Sequence, residues 1–413
     1  MNYLKKININ LLLALIIPLL IWGPFFPDLI VSLSSTFFLF YVYKNKAFNY
    51  FTQTPLIIFF AFCIYCIFVS IFVAPNILMS FESSLFYFRI GVFSCLIWYL
   101  IEQDKKILNY FYYAIVICFL VLIIDGYIQF FTNTNSVDRV SSFFGDELIM
   151  GSYLSRLFPL LVALFIAKEK KKLETYFMFL FFILVSGLIF ISGERASFAF
   201  LTLSTLFVLL LTKNFLKFRL CFIFGSVILI LMLSLTNQIT KNRMFVEPFE
   251  TSGLLQKNED KKYFFTANHD SLIRTSFNMF KDKPLIGHGP KMFRVICKDE
   301  KYATGITPCM THVHNFYVQL LAETGIIGFS FLFSVFAYVM YCVYRQFKSM
   351  VLRQKKYLSD YQVCLLASIL ITAWPITTNG NFFNNWLMIV YSLPVGFYLH
   401  SLYGKNKEEI NNN

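Results

Sequence analysis

The chain has 413 residues, 57% of them hydrophobic and only 14% charged, with 52 phenylalanines and a formal net charge of +13. A mean hydropathy of +0.63 excludes a soluble globular protein, because too few polar residues remain to cover a surface. The chain reads as a polytopic membrane protein, and without the alternating ten-residue strands of a barrel its spans must be helices, which satisfy their own backbone in lipid.

In chain order, the apolar runs predict about twelve transmembrane helices: 9–23, 28–43, 55–73, 82–101, 107–131, 148–167, 175–191, 195–212, 220–237, 315–344, 360–378 and 384–403. The first run follows Lys5 and Lys6 like a signal peptide, but no small-residue cleavage site follows, so it is read as an uncleaved helix. Alternate connections collect the cations, among them Lys44, Lys46, Lys105, Lys106, Lys213, Lys217, Arg219, Arg345 and Lys348, whereas the opposite short connections hold only Arg139. The positive-inside rule therefore predicts both termini in the cytoplasm and the long segment 238–314 outside. The organisation expected is nine helices over 1–237, a loop domain over 238–314, three helices over 315–403 and a tail over 404–413. The net positive charge follows from this topological bias and does not indicate nucleic acid.

Polar groups at membrane depth are expensive and usually face a protein-lined cavity. Four arginines lie in or beside the outer ends of spans. Arg89, in "FYFRIGVF", is about a third of the way into its span, with Glu82 one face away as a counter-ion. Arg139 either pairs with Asp138 or binds substrate, and Arg156 either snorkels toward Asp146 and Glu147 or faces a cavity. In "SGERASF" the cation Arg195 occupies the first turn of a helix, where the dipole disfavours it. Either a bound anion reverses that objection, with backbone N–H groups and guanidinium converging on it, or Glu194 pairs with it.

The outer segment predicts an amphipathic helix from about 270 to 282, capped by Asn268 or Asp270 and stopped by Pro284. Its buried face is Leu272, Ile273, Ser276, Phe277, Met279 and Phe280, and its polar stripe is Arg274, Asn278 and Lys281. "GHGP" is a turn lacking the strand and helix of a nucleotide fingerprint. Cys297 and Cys309 are expected to pair in an oxidising compartment, closing their loop with ~3 kcal/mol of stabilisation. In "CMTHVHNFYVQLLAETG" the spacing of Cys309, His312 and His314 is not that of a structural zinc site, and no metal or other cofactor is expected. Asn315 can cap the following helix, leaving His314 outside its positive end as a neutral imidazole able to accept a proton from a hydroxyl. Glu323 beside Gly325 has a structural or kinking role.

Together "SGERASF", "DKPLIGHGPKMF" and "THVHNFYVQLLAETGIIG" resemble the O-antigen ligase and O-antigen polymerase superfamily of bacterial envelope glycosyltransferases, over about residues 138–335. The resemblance implies a GT-C-like helical fold in the bacterial inner membrane and metal-independent, inverting transfer of a glycan from undecaprenyl pyrophosphate at the periplasmic face. The acceptor is a lipid A-core sugar for a ligase or the end of another lipid-linked repeat for a polymerase. Arg195, Arg274 and His314 match the family's functional positions; Arg89, Arg139, Arg156 and Asn315 are further substrate-binding candidates. The ligase is the primary expectation. The polymerase uses the same residues, and a lipid-linked oligosaccharide transporter is the alternative of another class, although it calls for inverted repeats and broken helices in both halves.

Overall fold

The structure is a computed structural model that describes residues 9–132, 139–168, 172–214, 216–251, 266–354 and 357–411. Lys5, Lys6 and Asp138 lie outside the described residues. All regular elements among those described are helical. The principal ones are α1 (Ile9–Trp22), α2 (Phe25–Asn45), α3 (Thr54–Phe72), α4 (Ile77–Gln103), α5 (Lys106–Thr132), α6 (Met150–Ala167), α7 (Lys172–Ile191) and α8 (Arg195–Leu211). They continue with α9 (Leu216–Thr236), α10 (Ala267–Asp282), α11 (Phe316–Val351), α12 (Asp360–Thr372) and α13 (Asn385–Tyr403).

Each apolar run predicted from sequence falls on one of these helices. Eight (α2 to α7, α9 and α11) are long and apolar enough to cross a membrane, and α1, α8 and α12 are shorter apolar helices. The ends follow local chemistry. Asn384 caps α13 through the N–H of Leu387, Ser359 and Gln362 form a capping box at α12, and Pro55 starts α3 where no donor is needed.

α4 packs against α13 and α6 against α12, forming the interior of the bundle. α9 and α11 lie at the periphery and turn large apolar side chains outward, including Met232, Leu235, Phe333 and Phe347. A soluble protein would bury such residues; in lipid they are the correct surface.

The segment after α9 begins with short helices from Gln238 to Thr251 and continues with α10. α10 starts three residues earlier than its pattern suggests, because the Thr266 hydroxyl accepts from the His269 N–H. Its buried face is Ser271, Leu272, Thr275, Ser276 and Met279, while Phe277 is exposed. The rotation brings Ser271 and Thr275 against the 304–306 turn, where the Ser271 hydroxyl accepts from the Ile306 N–H and that of Thr275 from the Thr304 N–H. Leu272, Met279, Phe293, Cys297, Tyr302 and Val313 form a small core of their own, reaching α11 through Ala322. Cys297 and Cys309 are joined by a disulfide, with Cα atoms 5.1 Å apart.

α11 is broken at Gly325, whose φ is +63°. The "LIGHG" turn docks into this break: His288 N–H donates to Ala322 O, Gly289 N–H to Glu323 O and Ile326 N–H to Pro284 O. A Cβ on Gly287 would lie 2.4 Å from the Glu323 carbonyl carbon, and one on Gly325 would lie 2.3 Å from that of Leu285. Two glycines are required here because two backbones touch.

Candidate active site

The site is built where α11 begins. The Asn315 side chain accepts from the N–H groups of Tyr317 and Val318, and its amide donates to the carbonyls of Pro375 and Thr377. These bonds make it a fixed cap at the join of two segments. His314, immediately before the cap, has φ +63°. A side chain other than glycine held in the left-handed region costs of order 1 kcal/mol or more, and such strain concentrates at functional positions. The His314 carbonyl accepts from the Asn379 N–H at 2.7 Å, which ties the conformation down.

The rings of His312 and His314 lie 4.0 Å apart centroid to centroid, and His269 of α10 meets His314 edge-on at 5.2 Å. Burial, with the neighbouring His269, holds His314 down at about 4. Burial and then His314, Arg294 and His269 hold His312 at about 3, and burial lowers His269. All three are neutral near pH 7. Sequence reasoning misses His269, whose only signal is its place in the first turn of an amphipathic helix.

Arg156 lies fully inside the bundle. Its guanidinium is sandwiched between Phe200 and Tyr391, 4.4 and 4.3 Å from the ring centroids, donating to Asn379 Oδ1 at 2.9 Å and Ser152 Oγ at 3.2 Å. Neither Asp146 nor Glu147 pairs with it. One nitrogen, Nη1, is buried without a hydrogen-bond partner. Asn379 thus joins Arg156 to the backbone of His314, a connection that no local pattern announces because Arg156 and Asn379 are 223 positions apart in the chain.

The "SGER" turn is an arginine cluster. Glu194 does not pair with Arg195; it accepts from the first free amides of α6, Gly151 at 2.6 Å and Ser152 at 3.0 Å, and from Ser197, with Arg139 3.9 Å away. A carboxylate at a helix N-terminus is the arrangement the dipole favours. Arg139 donates to the carbonyls of Ser192 and Leu148. Arg195 donates to the Arg243 carbonyl and forms an ion pair with Glu247. Arg243, missed from sequence, donates to Gly193 O, and its stem packs on that glycine together with that of Arg139. Arg139 and Arg156 are thus joined through Glu194 and Ser152 in one polar network that reaches the His314 backbone through Asn379, with Arg195 beside it on Arg243 and Glu247.

Two candidates stand apart. Arg89 pairs with Asp28 and donates to Ser32, both on α2, so Glu82 is not its partner. Arg274 is mostly exposed on α10 and is bonded to Asp270 one turn back, 2.6 Å away. Glu323 is buried at the α11 break, accepting from Phe293 N–H and from Gln319, which also donates to Asn381. It is a structural knot linking the 290s, α11 and the 381 loop. Among the described residues no group of three or more His, Cys, Asp or Glu is placed to hold a metal ion.

The fold and site define an all-helical, multi-span membrane protein with a histidine and arginine cluster at one end of its bundle. Residues 179–333 match the family model described as O-antigen ligase. That region spans the motifs that carry the resemblance and includes the positions of Arg195, Arg274 and His314. A stretch of 119 residues is also 24% identical to the teichuronic acid biosynthesis protein TuaE of Bacillus subtilis (strain 168), covering 29% of this chain and 24% of that protein. The match thus spans about a quarter of the relative's length.

Proposed function

We propose that the protein is an O-antigen ligase-type glycosyltransferase of the bacterial inner membrane, transferring a glycan from undecaprenyl pyrophosphate to a sugar hydroxyl of lipid A-core at the periplasmic face. In this reading all twelve apolar helices span the bilayer, with both termini cytoplasmic and the 238–314 segment outside. The observation that carries it is His314: a neutral imidazole in a left-handed conformation, held through Asn379 to a buried arginine, within the family region.

The acceptor hydroxyl gives its proton to His314 as its oxygen bonds to the anomeric carbon. The bond from that carbon to the pyrophosphate oxygen breaks, and the electron pair leaves with the pyrophosphate. Attack opposite the leaving group inverts the anomeric configuration. Base catalysis of this kind contributes typically ~10²–10⁴-fold, and guanidiniums in a low-dielectric site stabilise the charge gathering on the leaving group. Arg195, half-buried at the "SGER" turn, takes that role, held before donor arrival by Glu247, which the diphosphate replaces. Arg274, exposed on α10 and held by Asp270, meets the donor from the solvent side, where its field is more screened.

The polymerase reading shares these residues, and the relationship to a teichuronic acid biosynthesis protein fits polysaccharide assembly generally. A deletion strain separates the readings. Uncapped core with lipid-linked polymer accumulating supports the ligase, single-repeat capping supports the polymerase, and unchanged lipopolysaccharide removes both. His314→Ala is expected to lower transfer at least ~100-fold with the protein still in the membrane; full retained transfer removes His314 from the chemistry.

A further inference from the structure

We infer that the cleft between the 291–294 turn and the 381–386 loop binds an oxyanion carried by one of the glycan substrates beside the histidine cluster. This deepens the transferase reading and rests on it.

The cleft has a volume of about 250 Å³ and is lined by Lys291, Arg294, Asn381, Asn384, Asn385 and Trp386. Among the described residues, neither Lys291 nor Arg294 lies in ion-pair contact with a carboxylate, and Arg294 Nε is buried without a hydrogen-bond partner. The neighbouring carboxylate, Glu323, makes no ion pair with either cation; it is engaged by Phe293 N–H, by Gln319 and by the Lys291 backbone, and feels Arg294 only through its field. Two cations that make no direct ion pair among the described residues, flanked by three asparagines and with Glu82 and Glu323 reaching Lys291 only as weaker fields, form a donor-rich cavity suited to an acceptor with negative charge. The space suits a sugar carboxylate or a phosphate group.

The walls are fixed before any ligand arrives. Lys291 sits at φ +61° after Gly289 at +108°, a turn clamped to α11 by the Gly289–Glu323 bond and followed by the disulfide-bonded Cys297. Asn381 accepts from Gln319 and from Phe383 N–H. Two residues earlier in the same loop, Asn379 holds the His314 carbonyl. One loop therefore forms both the wall of the cleft and the back of the histidine site. Burial and the adjacent Arg294 hold the Lys291 ammonium below its ordinary value, with weaker opposing fields from Glu82 and Glu323, and an entering anion relieves both effects.

The test is calorimetric titration of the full chain in lipid nanodiscs with sodium glucuronate, inorganic pyrophosphate and, as a neutral control, glucose. Saturable binding of at least one anion, with glucose inert, is expected, and Arg294→Gln and Lys291→Gln should each weaken it about tenfold or more, equivalent to ~1.4 kcal/mol. Tighter glucuronate binding assigns the site to an acidic sugar; tighter pyrophosphate binding assigns it to the lipid carrier's diphosphate. Absence of saturable anion binding, or equal binding in the variants, overturns the inference. Lys291→Gln carries the test alone if Arg294→Gln fails to fold. His314→Ala should keep the binding while losing transfer, so failure of the cleft and failure of the transferase reading are distinguished.

Discussion

At the scale of single residues, the histidine cluster makes a prediction about pH. An ordinary imidazole titrates near 6.5, but burial and the field of His269 bring His314 to about 4. In the proposed role of base it works only when neutral, so the acid limb of kcat/KM for transfer should fall near pH 4; a limb near 6.5 contradicts the assignment. The sign for stability follows from the same shift. The unfolded chain takes up protons as pH drops below 6.5 while the folded cluster does not, so stability is full above that value and falls progressively toward about 4. The residue roles are unevenly legible in sequence. Asn315 as a cap and His314 outside a helix start follow from local chemistry. The partners of Arg89 and Arg156 do not, because Asp28 and Asn379 lie 61 and 223 positions away and only packing selects them over nearer carboxylates.

At the scale of elements, the junction between the "LIGHG" turn and the α11 break is the most constrained piece of backbone described. Gly145 offers a comparison, having φ +56° and open space within 4 Å of where a methyl group would stand, whereas Gly287 combines φ +69° with backbone atoms of Glu323 and Thr324 at 2.4 Å. Gly145→Ala should cost only backbone strain, about 1–3 kcal/mol, and Gly287→Ala that strain plus a clash, because the colliding atoms belong to main chain and cannot rotate aside. Thermal unfolding in matched detergent measures the difference, and equal midpoints contradict the close approach. Hydrophobic periodicity locates α10 but misjudges its rotation, since Phe277 is exposed while Ser271 and Thr275 face inward. Their hydroxyls bind the 304–306 turn, and apolar pattern alone gives no weight to such bonds.

At the scale of the whole molecule, the helical, multi-span character is written in composition, and each apolar run forms a helix because lipid permits little else. The cleft at Lys291 and Arg294 is illegible in sequence for the complementary reason: its two walls come from segments about ninety residues apart, each reading alone as an ordinary loop. The proposed orientation is testable without any assay of transfer. With native exposed Cys221 replaced, a cysteine introduced as Ile306→Cys, at an exposed position, should react with a membrane-impermeant maleimide in intact spheroplasts, and one introduced as Lys405→Cys only after lysis. The reverse pattern inverts the topology and places the histidine cluster in the cytoplasm.

The interlock of Gly287 with Gly325 also orders the protein's birth. The turn at 284–289 leaves the ribosome before the stretch 322–326 that shapes it, so it has no template until α11 has been made. Docking of this turn is therefore a late event in assembly, and a chain truncated before α11 carries a turn with nothing to close upon. The disulfide can close within its own loop, but the His314 backbone and the cleft take their partners from the 379–386 segment after α12, so the site is complete only once nearly the whole chain has been made.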